Sequence, residues 1–312
     1  MDLDPKAKAL LTAIAAAAVP TIASVPLKVA RDMVENGLTR MRIPVCQIGS
    51  VRNIAINSSG GHLNLRLYTP VGEGPFKTIV FFHGGGWVFF NTESYDPICT
   101  HLCRETGCLV VSVGYRLSPE AKFPDAVNDC LEATRWVGQH VASLNGNPDH
   151  LFIAGDSAGG NLAAVTAIRI RDEGGPAIKG QVLIYPVTDH FKRKKQSAIT
   201  FADGFNLSDE DMHWFWNHYL AKEEDADNPL ASPLIAETLT NLPPAFLIVS
   251  GHDPLRDEGL EYAQKLMDAG VPVRLSVYGE MIHGFISYLG ILRQGLEAIR
   301  EIADWIDKRS MS

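Results

Sequence analysis

The chain has 312 residues, 46% of them hydrophobic and 21% charged, with 28 Lys plus Arg against 36 Asp plus Glu. That length admits one large domain or two ordinary ones, and folding would leave roughly 12,800 Å² exposed and bury about three quarters of the unfolded surface, so a full core needs no covalent staples. The net charge of -8 repels phosphate backbones and anionic lipid and weighs against nucleic acid as a partner. Cys46, Cys99, Cys103, Cys108 and Cys130 are odd in number and sit among apolar neighbours, so they read as buried thiols in a reducing, cytoplasmic setting rather than a disulfide framework.

In chain order, residues 9–27 carry no charge and approach the length of a membrane span. Pro20 and Pro26 interrupt them, and Asp2 and Asp4 balance Lys6 and Lys8, so neither a signal peptide nor stable membrane insertion is expected. The favoured reading is a helix over about 5–18 with Asp4 as its N-cap and Pro5 at the first helical position. The segments NIAI (53–56) and LNLRLYT (63–69) alternate in polarity around the turn SSGGH and predict an antiparallel edge hairpin. TIVFFH (78–83), CLVVSV (108–113), LFIAGD (151–156), QVLIYP (181–186) and AFLIVSG (245–251) are continuous apolar runs, the mark of strands buried on both faces. Helical patterns at 125–141, 158–171 and 255–269 lie among them, which predicts an α/β protein with a mostly parallel sheet covered on both sides. The alternation breaks over 189–232, where a basic run at 192–195, an aromatic pattern MHWFWNHYL and an acidic turn EEDAD predict a helical insertion, with the basic run as a solvated loop. Without repeats or a low-complexity linker, no second independent domain is expected.

Residues 155–161, GDSAGGN, follow an apolar strand and open a helix, the context a G-x-S-x-G nucleophile turn requires. A serine at such a turn is held in a strained backbone, and only small residues on either side, Gly155 and Gly159, escape a clash. The helix behind it aims unpaired amides at the reacting centre, the first of them Ala158 N–H. His83-Gly84-Gly85-Gly86 ends another apolar strand, and its glycines can turn amides toward a ligand, which nominates Gly84 and Gly85 as the other oxyanion donors. His83 itself reads as a hydrogen-bonding support of that turn. The glycines lack the spacing of a dinucleotide site, so no cofactor is expected, and no HExxH or CxxC pattern nominates a metal.

A serine hydroxyl needs a positioned imidazole to take its proton and a carboxylate to orient that imidazole. Asp253 stands just past the run AFLIVSG and leads as the acid, with Asp257 and Glu258 expected to face solvent or cap the next helix. His283 follows the strand-like VPVRLSVY and leads as the base. His252 competes, but on an extended strand end its side chain would point away from the adjacent Asp253.

HGGGW (83–87), YRLSPE (115–120) with Phe123-Pro124, GDSAGGNLA (155–163), DPLRDEG (253–259) and HGF (283–285) occur in this order through most of the chain. In this combination the sequence resembles the hormone-sensitive-lipase-like esterases of the α/β-hydrolase superfamily. The resemblance implies an α/β-hydrolase fold with a catalytic core at 46–189 and 232–312. It implies a helical cap built from 1–45 and an insertion at 190–231. It further implies a carboxylesterase of small-molecule esters acting through an acyl-enzyme, with Ser157 as nucleophile, His283 as base, Asp253 as orienting acid and an oxyanion hole from Gly84, Gly85 and Ala158; a homodimer is compatible with it. Gly114 departs from the family pattern, where Asp or Asn often stands, and Arg116 and Glu120 are expected to brace the core through buried ion pairs. Of the aromatics near the glycine loop and in the insertion, Trp87, Phe89, Phe90, Phe205 and Trp214 are expected to wall an apolar acyl pocket, with an optimum of about four to eight carbons by the resemblance. Two rival readings remain open: a binding protein on the same fold without turnover, and a serine peptidase or amidase.

Overall fold

The computed structural model describes residues 2–41 and 43–311. One eight-stranded sheet runs through the molecule in the order β1-β2-β4-β3-β5-β6-β7-β8. The edge hairpin is β1 (Ser50–Ser58) and β2 (Gly61–Thr69), paired antiparallel around Ser59 and Gly60, and β2 runs antiparallel to β4 (Leu109–Gly114). All remaining pairings are parallel: β3 (Phe76–Phe82) lies between β4 and β5 (Gly146–Asp156), followed by β6 (Gly180–Ile184), β7 (Ala245–His252) and β8 (Val273–Ile282).

Why the runs are continuously apolar is visible in β3. Val80 and Phe82 point into one core with α4 (Asp125–His140), α5 (Ala158–Glu173) and α8 (Arg256–Asp268), while Ile79 and Phe81 point into another with α3 (Asp96–Thr106) and α9 (Arg293–Ser310). The molecule exposes 12652 Å², close to what its length alone predicts. All five cysteines are free and buried. Among the described residues no helix is long and apolar enough to cross a membrane.

The first helix, α1 (Pro5–Ala16), is capped as expected, with Asp4 Oδ1 accepting the Lys6 and Ala7 amides. It docks beside the end of β8: Asp4 N–H donates to Glu280 O at 3.0 Å, and Gln294 Nε2 bridges Asp4 Oδ2 and Glu280 Oε1. A second helix, α2 (Leu27–Arg40), had no counterpart in the sequence reading. Its Arg31 donates to Val88 O and Ser118 O and pairs bidentately with Glu120.

Between β6 and β7 the insertion contains α6 (Gln196–Thr200) and α7 (Asp209–Tyr219). The basic run is not simply solvated. Lys192 pairs with Asp227, Arg193 with Asp189 and Asp227, Lys194 with Asp209 and Lys195 with Glu261. The two ends of the insertion meet where Leu234 N–H donates to Thr188 O at 2.8 Å. Glu258 Oε1 accepts the Thr188 and Asp189 amides beside that junction. Glu258 is therefore buried, not solvent-facing, and with no ion-pair partner among the described residues burial holds its carboxyl well above the usual carboxylate range. Asp257 accepts the Ser197 amide and so also ties the insertion to α8. The Glu120 side chain is 62% exposed, so only Arg116 braces the interior, through buried Asp129.

Candidate active site

Ser157 sits between β5 and α5 at φ 55° and ψ -119°, a conformation that costs a non-glycine residue of order 1–3 kcal/mol and persists only where packing enforces it. The flanking glycines do the enforcing. A Cβ at Gly155 would stand 2.2 Å from Gly159 O, and one at Gly159 would stand 2.0 Å from Phe82 O. Ser157 N–H donates to Ile184 O on β6, which fixes the turn to the sheet.

His283, just past β8, and Asp253, just past β7, converge on this turn. His283 Nδ1 lies 2.7 Å from Asp253 Oδ2, and Nε2 lies 2.9 Å from Ser157 Oγ. Because an ionised carboxylate only accepts, Nδ1 carries the proton and Nε2 presents its lone pair to the hydroxyl. Asp253 is fully buried and its other oxygen accepts Leu255 N–H at 2.8 Å. Two contacts absent from the sequence reading hold His283. The Tyr185 ring lies 4.8 Å from the imidazole, and Asn206 Nδ2, from the insertion, donates to His283 O while its Oδ1 accepts from Tyr288. His252 instead lies against Phe201 and Phe205, away from the Asp253 carboxylate that His283 engages.

The glycine loop corrects one assignment. Gly84 N–H donates to Asp156 Oδ1 and to Tyr95 Oη, both at 2.9 Å, so this amide is already spent and does not serve an oxyanion. The amides of Gly85 and Gly86 have no protein acceptor among the described residues, and Ala158 opens α5, where the first amides lack intrahelical acceptors. Gly85 and Gly86 adopt φ 99° and 59°, and a Cβ on Gly86 would strike the Phe215 ring at 2.1 Å. His83 supports the turn as read. It donates from Nδ1 to Gly84 O at 2.8 Å, stacks on Tyr115, and is so deeply buried that its imidazole is pushed down to about 4.

The expected aromatic wall divides. Trp87 is fully buried, stacked on Tyr219 at 4.0 Å and leaning on Trp216, so it is enclosed between the loop and α7 and cannot meet a substrate. Phe89, 4% exposed between Trp214 and Phe215, is likewise packing. Phe90, Phe205 and Trp214 keep partly open surfaces. Among the described residues no group of three or more His, Cys, Asp or Glu could hold a metal ion.

Serine, histidine and aspartate at the carboxyl ends of parallel strands, with the serine on a strained strand-to-helix turn, define an α/β hydrolase. A family model described as "alpha/beta hydrolase fold" matches residues 79–287. Carboxylic ester hydrolase LipN of Mycobacterium tuberculosis is 41% identical over 76% of this chain and 64% of its own, so the chain spans just under two thirds of that relative's length. Esterase LipI of the same organism is 38% identical over 82% of this chain and 81% of its own. The hyperthermophilic esterase of the archaeon Pyrobaculum calidifontis superposes with a TM-score of 0.95 at 38% identity over all of both chains. The chain belongs to the hormone-sensitive-lipase-like family of α/β hydrolases, a family of carboxylic ester hydrolases.

Proposed function

We propose that the chain is a serine carboxylesterase for short to medium acyl esters, with Ser157 as nucleophile, His283 as general base and acid, and Asp253 as orienting acid. The observation that carries this reading is the unbroken relay of 2.9 and 2.7 Å from Ser157 Oγ through His283 to buried Asp253. His283 Nε2 takes the hydroxyl proton as Oγ attacks the ester carbonyl, and the carbonyl pair becomes an oxyanion. The amides of Gly85, Gly86 and Ala158 receive that oxyanion, Gly86 taking the place the sequence reading gave to Gly84. Collapse expels the alcohol, which takes the proton from His283, and leaves the acyl group on Ser157. Water then repeats the sequence and releases the acid.

In this reading the N-terminal segment and the insertion form one cap. What supports it is their mutual contact, α7 against the turn Ile22–Ser24, and the seating of Phe215 on Gly86. The partly open rings of Phe90, Phe205 and Trp214 on the loop and the insertion support an apolar acyl side, where each buried methylene adds about 0.8 kcal/mol until space runs out. The optimum then falls at about four to eight acyl carbons. The test is labelling by a fluorophosphonate followed by peptide mapping, alongside hydrolysis of an ester series and matched amides. The adduct is expected on Ser157, with esters turned over far faster than amides. Labelling elsewhere, or amides preferred, would sink the reading.

A further inference from the structure

Asp156 is the residue before the nucleophile, is 3% exposed, and has no lysine or arginine partner among the described residues. Such burial of a carboxylate is costly unless its hydrogen bonds need it. Oδ1 accepts Gly84 N–H at 2.9 Å and Oδ2 accepts the Tyr95 hydroxyl at 3.0 Å, with the Tyr185 hydroxyl 3.5 Å away. Both oxygens therefore face donors, and an amide in this place would set N–H against O–H. The contact is also too close for any side chain on the loop, since a Cβ at Gly84 would lie 2.7 Å from Asp156 Oδ2. At its other end the Gly84 peptide is held by His83 on its carbonyl. The Gly85 amide belongs to the same peptide as that carbonyl and takes its direction from it, whereas the Gly86 amide shares its peptide with Gly85 O, which accepts the Val88 and Phe89 amides at 3.1 and 2.9 Å.

We propose that Asp156 is a positioning residue for the oxyanion hole: by pinning the Gly84 amide it seats the glycine loop and aims the Gly85 amide at the oxygen that becomes negative over Ser157, beside the Gly86 amide that the Val88 and Phe89 bonds to Gly85 O hold. This rests on the esterase reading above. Because Asp156 and Ser157 are adjacent, one turn sets the place of both the nucleophile and its charge-stabilising donors. The groups facing the carboxylate are Tyr95 ahead of α3, Tyr185 after β6 and, by charge, His283 after β8, Tyr115 after β4 and Cys99 on α3. Burial pushes the Asp156 carboxyl up to about 6, with the Tyr95 bond and the His283 charge drawing it back. A protonated Asp156 would hold the loop with one acceptor fewer, so turnover falls as this carboxyl takes up its proton.

The test uses the full chain carrying Asp156→Asn, Asp156→Ala or Tyr95→Phe, with kcat and KM on a short ester and binding of a trifluoromethyl ketone. That ketone adds Ser157 Oγ to its carbonyl carbon and places an oxyanion where the substrate would. Expected is a fall in kcat of about tenfold for Asn and on the order of 10²–10³-fold for Ala, with KM within about threefold and ketone affinity falling in step. Asp156→Asn should also shift the acid limb of the pH profile, while fluorophosphonate still labels Ser157. A folded Asn or Ala variant with unchanged kcat, or one that raises KM alone, overturns the proposal and leaves the nucleophile assignment standing. Should both Asp156 variants fail to fold, Tyr95→Phe decides: about a threefold or larger drop in kcat is expected, and wild-type kcat with wild-type ketone affinity overturns it. Ser157→Ala that stays active would instead overturn the esterase reading itself.

Discussion

The floor and the roof of the site are held by different physics. Beneath the reacting centre, Gly155, Gly159, Phe82 and the Gly84–Asp156 contact leave no room for an added methyl group, and the polar groups are buried and paired. Above it, the insertion is fastened by exposed ion pairs such as Lys192–Asp227, by aromatic stacking, and by single hydrogen bonds such as Asn206 to His283 O. Surface ion pairs contribute only about 0–1 kcal/mol each and exchange readily, whereas close-packed backbone has no alternative arrangement of similar energy. Floor substitutions should therefore act on turnover or on folding itself, and roof substitutions on which ester is accepted.

The sharpest separation comes from Ser157→Ala and His283→Ala. Each is expected to lower kcat by about 10⁶-fold, with the unfolding profile of Ser157→Ala that of the parent and that of His283→Ala lowered because buried Asp253 loses its partner, checked by ester hydrolysis beside circular dichroism. Residual activity above a small fraction of a per cent would detach the floor from the chemistry. Next in size, Gly159→Ala drives a methyl group into Phe82 O and should cost about 3 kcal/mol or more, lowering Tm by roughly 6–12 °C. A variant with parental Tm would show that the turn yields more easily than its spacing implies.

On the roof, Trp214→Ala should change kcat/KM for octanoyl relative to acetyl esters by about fivefold, or roughly 1 kcal/mol of lost apolar contact, with acetyl turnover little altered. Loss of the first ~30 residues should move the same ratio, because it removes the turn Ile22–Ser24 that packs against α7. An equal loss on all esters would make the roof part of the chemical machinery. The smallest effect concerns Glu258. Its carboxyl is raised in the folded protein, so the native state keeps a proton that the unfolded chain releases, and stability falls as pH rises above the ordinary carboxyl value of about 4.3. Glu258→Gln keeps the accepting oxygen without that penalty. Its Tm should match the parent near pH 4 and exceed it at pH 8, and a Tm gap constant with pH would contradict this.

The floor was also the legible part. Strands buried on both faces leave unmistakable apolar runs, and the strained turn demands glycines at fixed offsets, so β3 to β7 and the Ser157 turn can be read from the sequence with little else. What spacing does not disclose is which distant group meets a given atom. Gly84 looked like an oxyanion donor because nothing local reveals that Tyr95 and Asp156 close on its amide. Glu258 looked like a first-turn surface carboxylate because its partners, the Thr188 and Asp189 amides, arrive from another strand end. Trp87 looked like a pocket wall because its burial depends on Tyr219 and Trp216, distant in sequence, closing over it. The helix α2 went unread although Leu27, Ala30 and Val34 recur at helical spacing and pack on the core, because the Ala-rich stretch and Pro26 before it drew the reading instead.

The junction where Leu234 meets Thr188 gives the insertion a narrow neck, since chain leaving the sheet and chain returning to it pass within one hydrogen bond. Closing a longer or shorter loop on a fixed neck changes the closure entropy little, about 0.6 kcal/mol for each doubling of length. Descendants of this sequence are accordingly free to lengthen, trim or exchange the segment as a cassette, and to acquire new ester preferences, while the sheet and its strained serine turn pass on unaltered.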